Sequence, residues 1–186
     1  MAPSNTIVRT PKRPKVWTYE RDSVIALATS GSKLQISYDL LTTYKTDLGI
    51  TRPNNVTVMR IVGKLLAGNT ASASVATEFT VNWGIAWLDA RLAALPSGDT
   101  SIPDPGALGV REAEWIQRGM LFHTSVAGAQ TTGANAGQLA SWTELDITQR
   151  RKQPTPDHEL CLVTDTSGSS SHAPMLGMDL AIWLAV

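Results

Sequence analysis

Few residues in this 186-residue chain are placed to do chemistry, and those that group together are cations. Arg9, Lys12, Arg13 and Lys15 lie in residues 1–19, a stretch without a single Asp or Glu. Arg60 and Lys64 flank Val62, each two places away, so an extended strand would project both from one face. Gln149-Arg150-Arg151-Lys152-Gln153 forms a third group. Cations without acidic partners suit phosphate, and such binding is charge-driven, indifferent to base sequence and weakened by salt. No motif for reading bases accompanies them. For each group the plain alternative is a solvated, solubilising surface. Trp17 and Tyr19, next to the first group, offer rings either for stacking on bases or for anchoring a core.

Other chemistries find little support. His123, His158 and His172 are far apart, and none has a partner at metal-ligand spacing. Asp99, Asp104 and Asp165 read as turn residues rather than as calcium ligands. Glu144 and Asp146 share a strand face, where acids are usually solvated rather than catalytic. No nucleophile-elbow, phosphate-loop or dinucleotide fingerprint is present, so no enzyme and no cofactor are expected. Cys161 is the single cysteine, which excludes an intramolecular disulfide, and its setting in Leu160–Val163 suggests a small buried hydrophobe. No apolar run is long enough to span a bilayer, and the first residues lack the apolar stretch of a signal peptide. Assembly in the cytosol or nucleus is therefore expected.

The elements that must position these groups read as strands. Phe79, Val81, Trp83, Ile85 and Trp87 alternate with Glu78, Thr80, Asn82, Gly84 and Ala86, a period of two that excludes an amphipathic helix. Similar strands are expected in Val16–Thr29, Lys33–Asp39, Val56–Leu66, Glu114–Ser125, Trp142–Gln149, His158–Thr164 and Gly177–Val186. In Val56–Leu66, Met59, Ile61 and Leu65 should face one way and Val58, Arg60, Val62 and Lys64 the other. A short helical turn is expected within Leu40–Gly49. Pro96, Gly98, Pro103, Pro105, Gly106 and Gly109 exclude regular structure from most of Ala93–Gly109. Thr124–Thr143 carries no charged side chain, which suits either a surface loop or a contact with another subunit.

About eight strands with unequal connections fit an all-β, antiparallel two-sheet sandwich of the jelly-roll kind, residues 16–186. Residues 1–15, basic and punctuated by Pro3, Pro11 and Pro14, would form an arm. Charged residues make up 17% of the chain, low for a free monomer and suited to protein packed against protein. Net charge is zero overall, so a basic arm leaves a mildly acidic body.

Several segments together resemble one family. They are V-x-x-x-R-I-V-G at Val56–Gly63, W-G-I-A-W-L at Trp83–Leu88, P-D-P at Pro103–Pro105 and a Trp-containing strand at Trp115–His123. E-L-D-I-T-Q-R-R-K at Glu144–Lys152 and E-L-C-L-V at Glu159–Val163 complete the set. The chain resembles the single-jelly-roll capsid proteins of small circular, Rep-encoding single-stranded DNA (CRESS-DNA) viruses, over roughly residues 56–186. The resemblance implies a virion coat protein, assembled in the host nucleus or cytoplasm, that closes on the order of sixty copies, or a multiple, into an icosahedral shell. It implies viral nucleic acid, single-stranded DNA, as partner, held through Arg9, Lys12, Arg13, Lys15, Arg60, Lys64, Arg150, Arg151 and Lys152, with no membrane involved. The arm is shorter and poorer in arginine than in circoviruses. Counting one charge per phosphate, a sixty-copy shell would supply roughly 240–420 positive charges, short of a kilobase genome, so particles could form empty. Two other readings stay open: a trimeric jelly-roll binding module such as a lectin or phage fibre head, and a cupin-type metalloenzyme.

Overall fold

The every-other-residue rows become strands. The computed structural model describes residues 16–27, 34–69, 77–96, 99, 101–106, 113–125, 138–167 and 174–186. The order of elements is β1 (Val16–Ala26), β2 (Leu34–Asp39), α1 (Thr42–Leu48), β3 (Thr57–Asn69), β4 (Thr77–Asp89), α2 (Ala90–Ala93), β5 (Ala113–Ser125), β6 (Gln138–Ala140), β7 (Trp142–Ile147), β8 (Arg151–Lys152), β9 (His158–Ser167) and β10 (Pro174–Ala185). Helix α1 lies within the expected Leu40–Gly49 turn. Gly49, at φ 62°, closes it by donating its N–H to the carbonyls of Lys45 and Thr46.

Two five-stranded sheets result. One runs β1-β10-β3-β7 with β8 also on β3, and the other runs β2-β9-β4-β5-β6. Every ladder is antiparallel. The long strands pair in nested fashion, β4 with β5, β3 with β7, β2 with β9 and β1 with β10, as if one long hairpin had been rolled up. Such a winding of nested antiparallel pairs over two sheets is a jelly roll. The apolar strand β10 lies between β1 and β3, which spares it an open edge.

The core lies between the sheets. Phe79, Val81, Trp83, Ile85 and Trp87 are all buried and meet Leu176, Met178, Leu180, Ile182 and Leu184 from the other sheet. Each such side chain contributes about 1.5–3 kcal/mol of burial. A second, smaller cluster joins Leu88, Ile102, Cys161 and Val163, with Leu92, Leu95 and Trp115 packed against it. It explains why Leu160–Val163 is apolar without interruption: β9 is covered on both faces, and Cys161 is buried as expected.

One expectation about β3 is corrected. Val58 is buried with Ile61 and Leu65, and so does not share the exposed face of Arg60 and Lys64. The ladder register shifts between Trp183 and Leu184, and two β3 residues, Met59 and Arg60, fill the interval where β10 has one step. The extra residue reverses the alternation on one side of it. Gly63 marks a close approach within the same strand. At φ 154°, a Cβ there would sit 1.9 Å from the Asp179 carbonyl oxygen.

The ladders also sort the connections by end. Ala26, Asn69, Ser125 and Ser167 finish strands at one end, so 28–33, 70–76, 126–137 and 168–173 all leave from there. Among the residues of those four stretches, Lys33 alone carries a charge. The opposite end holds α1, α2, β8, and the paired residues Val16 and Ala185. Its described charges are mostly tied together: Lys45 to Asp39 at 2.9 Å and Glu159 at 2.7 Å, Arg52 to Asp157 at 2.8 Å, and Arg91 to Asp89 at 3.0 Å.

Candidate nucleic-acid interface

Arg9, Lys12, Arg13 and Lys15 lie outside the described residues. The described chain starts at Val16, at the end of β1 and paired with Ala185. The same row continues across the sheet from Ala185 to Thr57 and from Thr57 to Lys152. At a strand spacing of about 4.8 Å, Lys152 therefore stands roughly 14 Å from the root of the arm. This is the juxtaposition that the sequence could not display: Val16, where the arm joins the sheet, and Lys152, 136 positions on, share one end of one sheet.

Within the second group the three cations differ. The side chains of Arg150 and Lys152 are exposed and have no hydrogen-bond or ion-pair partner among the described residues. Arg151 is half-buried, and its guanidinium donates to Gln149 Oε1 at 2.7 Å while its Nε is enclosed without a partner. Gln153, buried behind them, had no assigned role in the sequence. Its Oε1 accepts from the Val56 N–H at 3.3 Å, and its Nε2 donates to the carbonyls of Pro53 at 3.0 Å and His158 at 2.8 Å. One amide thus fixes the base of the cationic turn to the segment entering β3.

Arg60 and Lys64 do share the exposed face of the first sheet, but in acidic company. Arg60 makes a two-pronged pair with Asp146, at 3.0 and 3.1 Å, and lies over the Trp183 ring at 5.7 Å. The hydrogen bonds that Arg60 donates to the Asp146 carboxylate raise its pKa further. Lys64 is flanked in the ladders by Asp179 and Glu144. Glu20 and Asp22 complete the face, and Asp22 stands directly opposite Asp179. Five carboxylates against two cations give this surface a negative field that repels phosphate. Their alternation was readable, but the pairing of β1 and β10 that gathers them was not.

The remaining candidates fall elsewhere. Trp17 is half-buried and meets Tyr44 edge-on at 6.0 Å, packed against the core. His123 is buried and stacked on Phe79 at 4.9 Å, neither ring nitrogen has a partner, and burial lowers its pKa. His172 lies outside the described residues. Among the described residues no three His, Cys, Asp or Glu side chains gather as a metal site would require.

No protein-family model matches the chain, and no curated protein matches it. Solved structures similar to it include Desmodium yellow mottle tymovirus, at 11% identity over 100% of this chain and 96% of that one, with a TM-score of 0.40. The decameric BFDV capsid protein follows at 8% identity, covering 93% and 98%, with a TM-score of 0.38. Tobacco necrosis virus is similar at 10% identity, covering 94% and 88%, with a TM-score of 0.37.

Proposed function

We propose that this chain is a viral coat protein, one jelly-roll subunit of a closed icosahedral shell that encloses single-stranded DNA through sequence-independent phosphate contacts. The observation that carries the reading is the division of charge between the two ends of the roll. The end from which 28–33, 70–76, 126–137 and 168–173 leave holds one charge in those connections, Lys33, and so can desolvate against copies of itself at little cost. The opposite end roots a +4 arm beside the unpaired Arg150 and Lys152. Subunits joined by rotation at the first end would turn the second toward an enclosed space. Phosphate is then met chiefly by Arg9, Lys12, Arg13, Lys15, Arg150 and Lys152. Arg151 supports the turn, and Arg60 and Lys64 contribute little from within their acidic surroundings.

Two measurements test this. Purified protein should elute as megadalton particles and show uniform shells by electron microscopy; a peak of about 60 kDa, three copies of the 20.0 kDa chain, would favour a trimeric binding module instead. Replacing Arg9, Lys12, Arg13 and Lys15 by Ala should lower the co-purified nucleic acid, read as the 260/280 nm absorbance ratio, with an unchanged far-ultraviolet circular dichroism spectrum. Undiminished nucleic acid would remove the arm from the account.

A further inference from the structure

Large apolar side chains that stay in water gather at one place. A row of the first sheet close to the uncharged end is Val24–Gly177–Leu66–Trp142, and its three side chains are 61%, 46% and 59% exposed. Ser141 leads from this row to the second sheet. Its carbonyl accepts from the Ala67 N–H at 3.1 Å, and its N–H donates to the Phe122 carbonyl at 2.9 Å. There Phe122 and Met120, on the outer face of β5, are 45% and 66% exposed. The other large apolar groups exposed among the described residues, Val16, Leu48 and Val186, lie at the opposite end. The five leave on the order of 500 Å² of apolar surface in water, against about 800 Å² that each partner buries in a standard interface. A patch of that size on one subunit marks a contact.

We propose that two copies of this chain pair through this strip, face to face about a two-fold axis that runs along it, so that Leu66 of each copy meets Leu66 of the other. Charge selects both the occupant and the axis. The next row of the sheet is Asp22–Asp179–Lys64–Glu144, three carboxylates against one cation. That row makes nucleic acid or an anionic membrane a poor occupant of the strip beside it. An axis along the strands would lay the net-negative row on its own copy, like charge on like. An axis along the strip turns the second copy end for end instead. Each acidic row then lies toward the partner's uncharged end, where Lys33 is the one charge in the connections. The inference goes beyond the coat-protein reading, since a pair can form with or without a closed shell.

Thiol cross-linking of full-length protein tests it. Cys161 is buried, so Leu66→Cys and Lys64→Cys each present one accessible thiol. Packed sheets lie about 10 Å apart, which puts two thiols at position 66 within reach of a short bismaleimide. Lys64 is two residues along β3, about 6.6 Å from Leu66, so its two copies are offset sideways by about 13 Å. Cross-linked dimer, twice the 20.0 kDa of the chain, is expected from Leu66→Cys at ten-fold or more the yield from Lys64→Cys. No dimer from Leu66→Cys would leave the strip to another partner or another arrangement, and equal yields from both variants would mean collision without pairing; either overturns the proposal. Adding Trp142→Ser to Leu66→Cys should raise the protein concentration for half-maximal cross-linking about ten-fold, with circular dichroism unchanged. An unshifted concentration would equally overturn it. Particles are read separately, by electron microscopy of the unaltered chain. Shells without the link at position 66 sink the pairing alone, and the link without shells sinks the coat-protein reading alone.

Discussion

At the scale of single residues, the interior is least well satisfied near the uncharged end. Thr164, Thr166 and His123 all point into the sandwich there with polar atoms that find no hydrogen bond. For His123 this has a sign. Burial lowers its pKa below the ordinary value of about 6.5, so the proton prefers the unfolded chain. Its contribution is fully present above that pH and is lost as pH falls. The unfolding free energy from urea titration should therefore fall between pH 7 and pH 5, by at most about 1.4 kcal/mol per pH unit from this group, and His123→Leu should flatten the dependence. Gly63 makes a different demand. Its Cβ would lie 1.9 Å from a backbone oxygen that belongs to the central strand and cannot swing away. Gly63→Ala should cost about 3 kcal/mol in equilibrium denaturation, or prevent folding outright.

At the scale of elements, Gln153 holds the end that carries Arg150 and Lys152. It satisfies one backbone N–H and two carbonyls on two segments, so Gln153→Leu leaves buried backbone groups without partners. A loss of about 2–4 kcal/mol is expected by denaturation, and with it weaker nucleic-acid binding by a turn no longer held in place. The eight long strands were legible in the sequence, because alternation records burial directly, and Val16 and Trp142 each begin a strand where the pattern begins; β6 and β8, three and two residues long, are too short to show a period and were not expected. The short helix was legible too, through Gly49. What the pattern hid was everything set by a distant partner. The bulge that turns Val58 inward exists only because β10 has one residue fewer. Arg60 looked available for phosphate because Asp146 lies 86 positions away, on a strand whose ladder partner no local spacing announces. Gln153 looked like surface for the same reason. The cations were found by composition; their surroundings were set by topology.

At the scale of the whole molecule, the contrast between the two ends predicts opposite responses to salt. In about 1 M NaCl, where exposed charges are screened within a few ångströms, particles should keep their size by light scattering while bound nucleic acid leaves. Conversely, a charge placed in the uncharged connections, for example Thr132→Glu, should abolish particles and leave the subunit folded by circular dichroism. The rolled topology has a consequence for synthesis as well. Strand β10 is the last of the ten in chain order, yet it lies in the middle of its sheet and, among the described residues, is the one bridge between β1 and β3. Until it arrives those two have no common neighbour, while the β4–β5 hairpin can already close locally. A chain that still lacks β10 is thus half a sandwich with its apolar side open, and the core closes only once that keystone has been made.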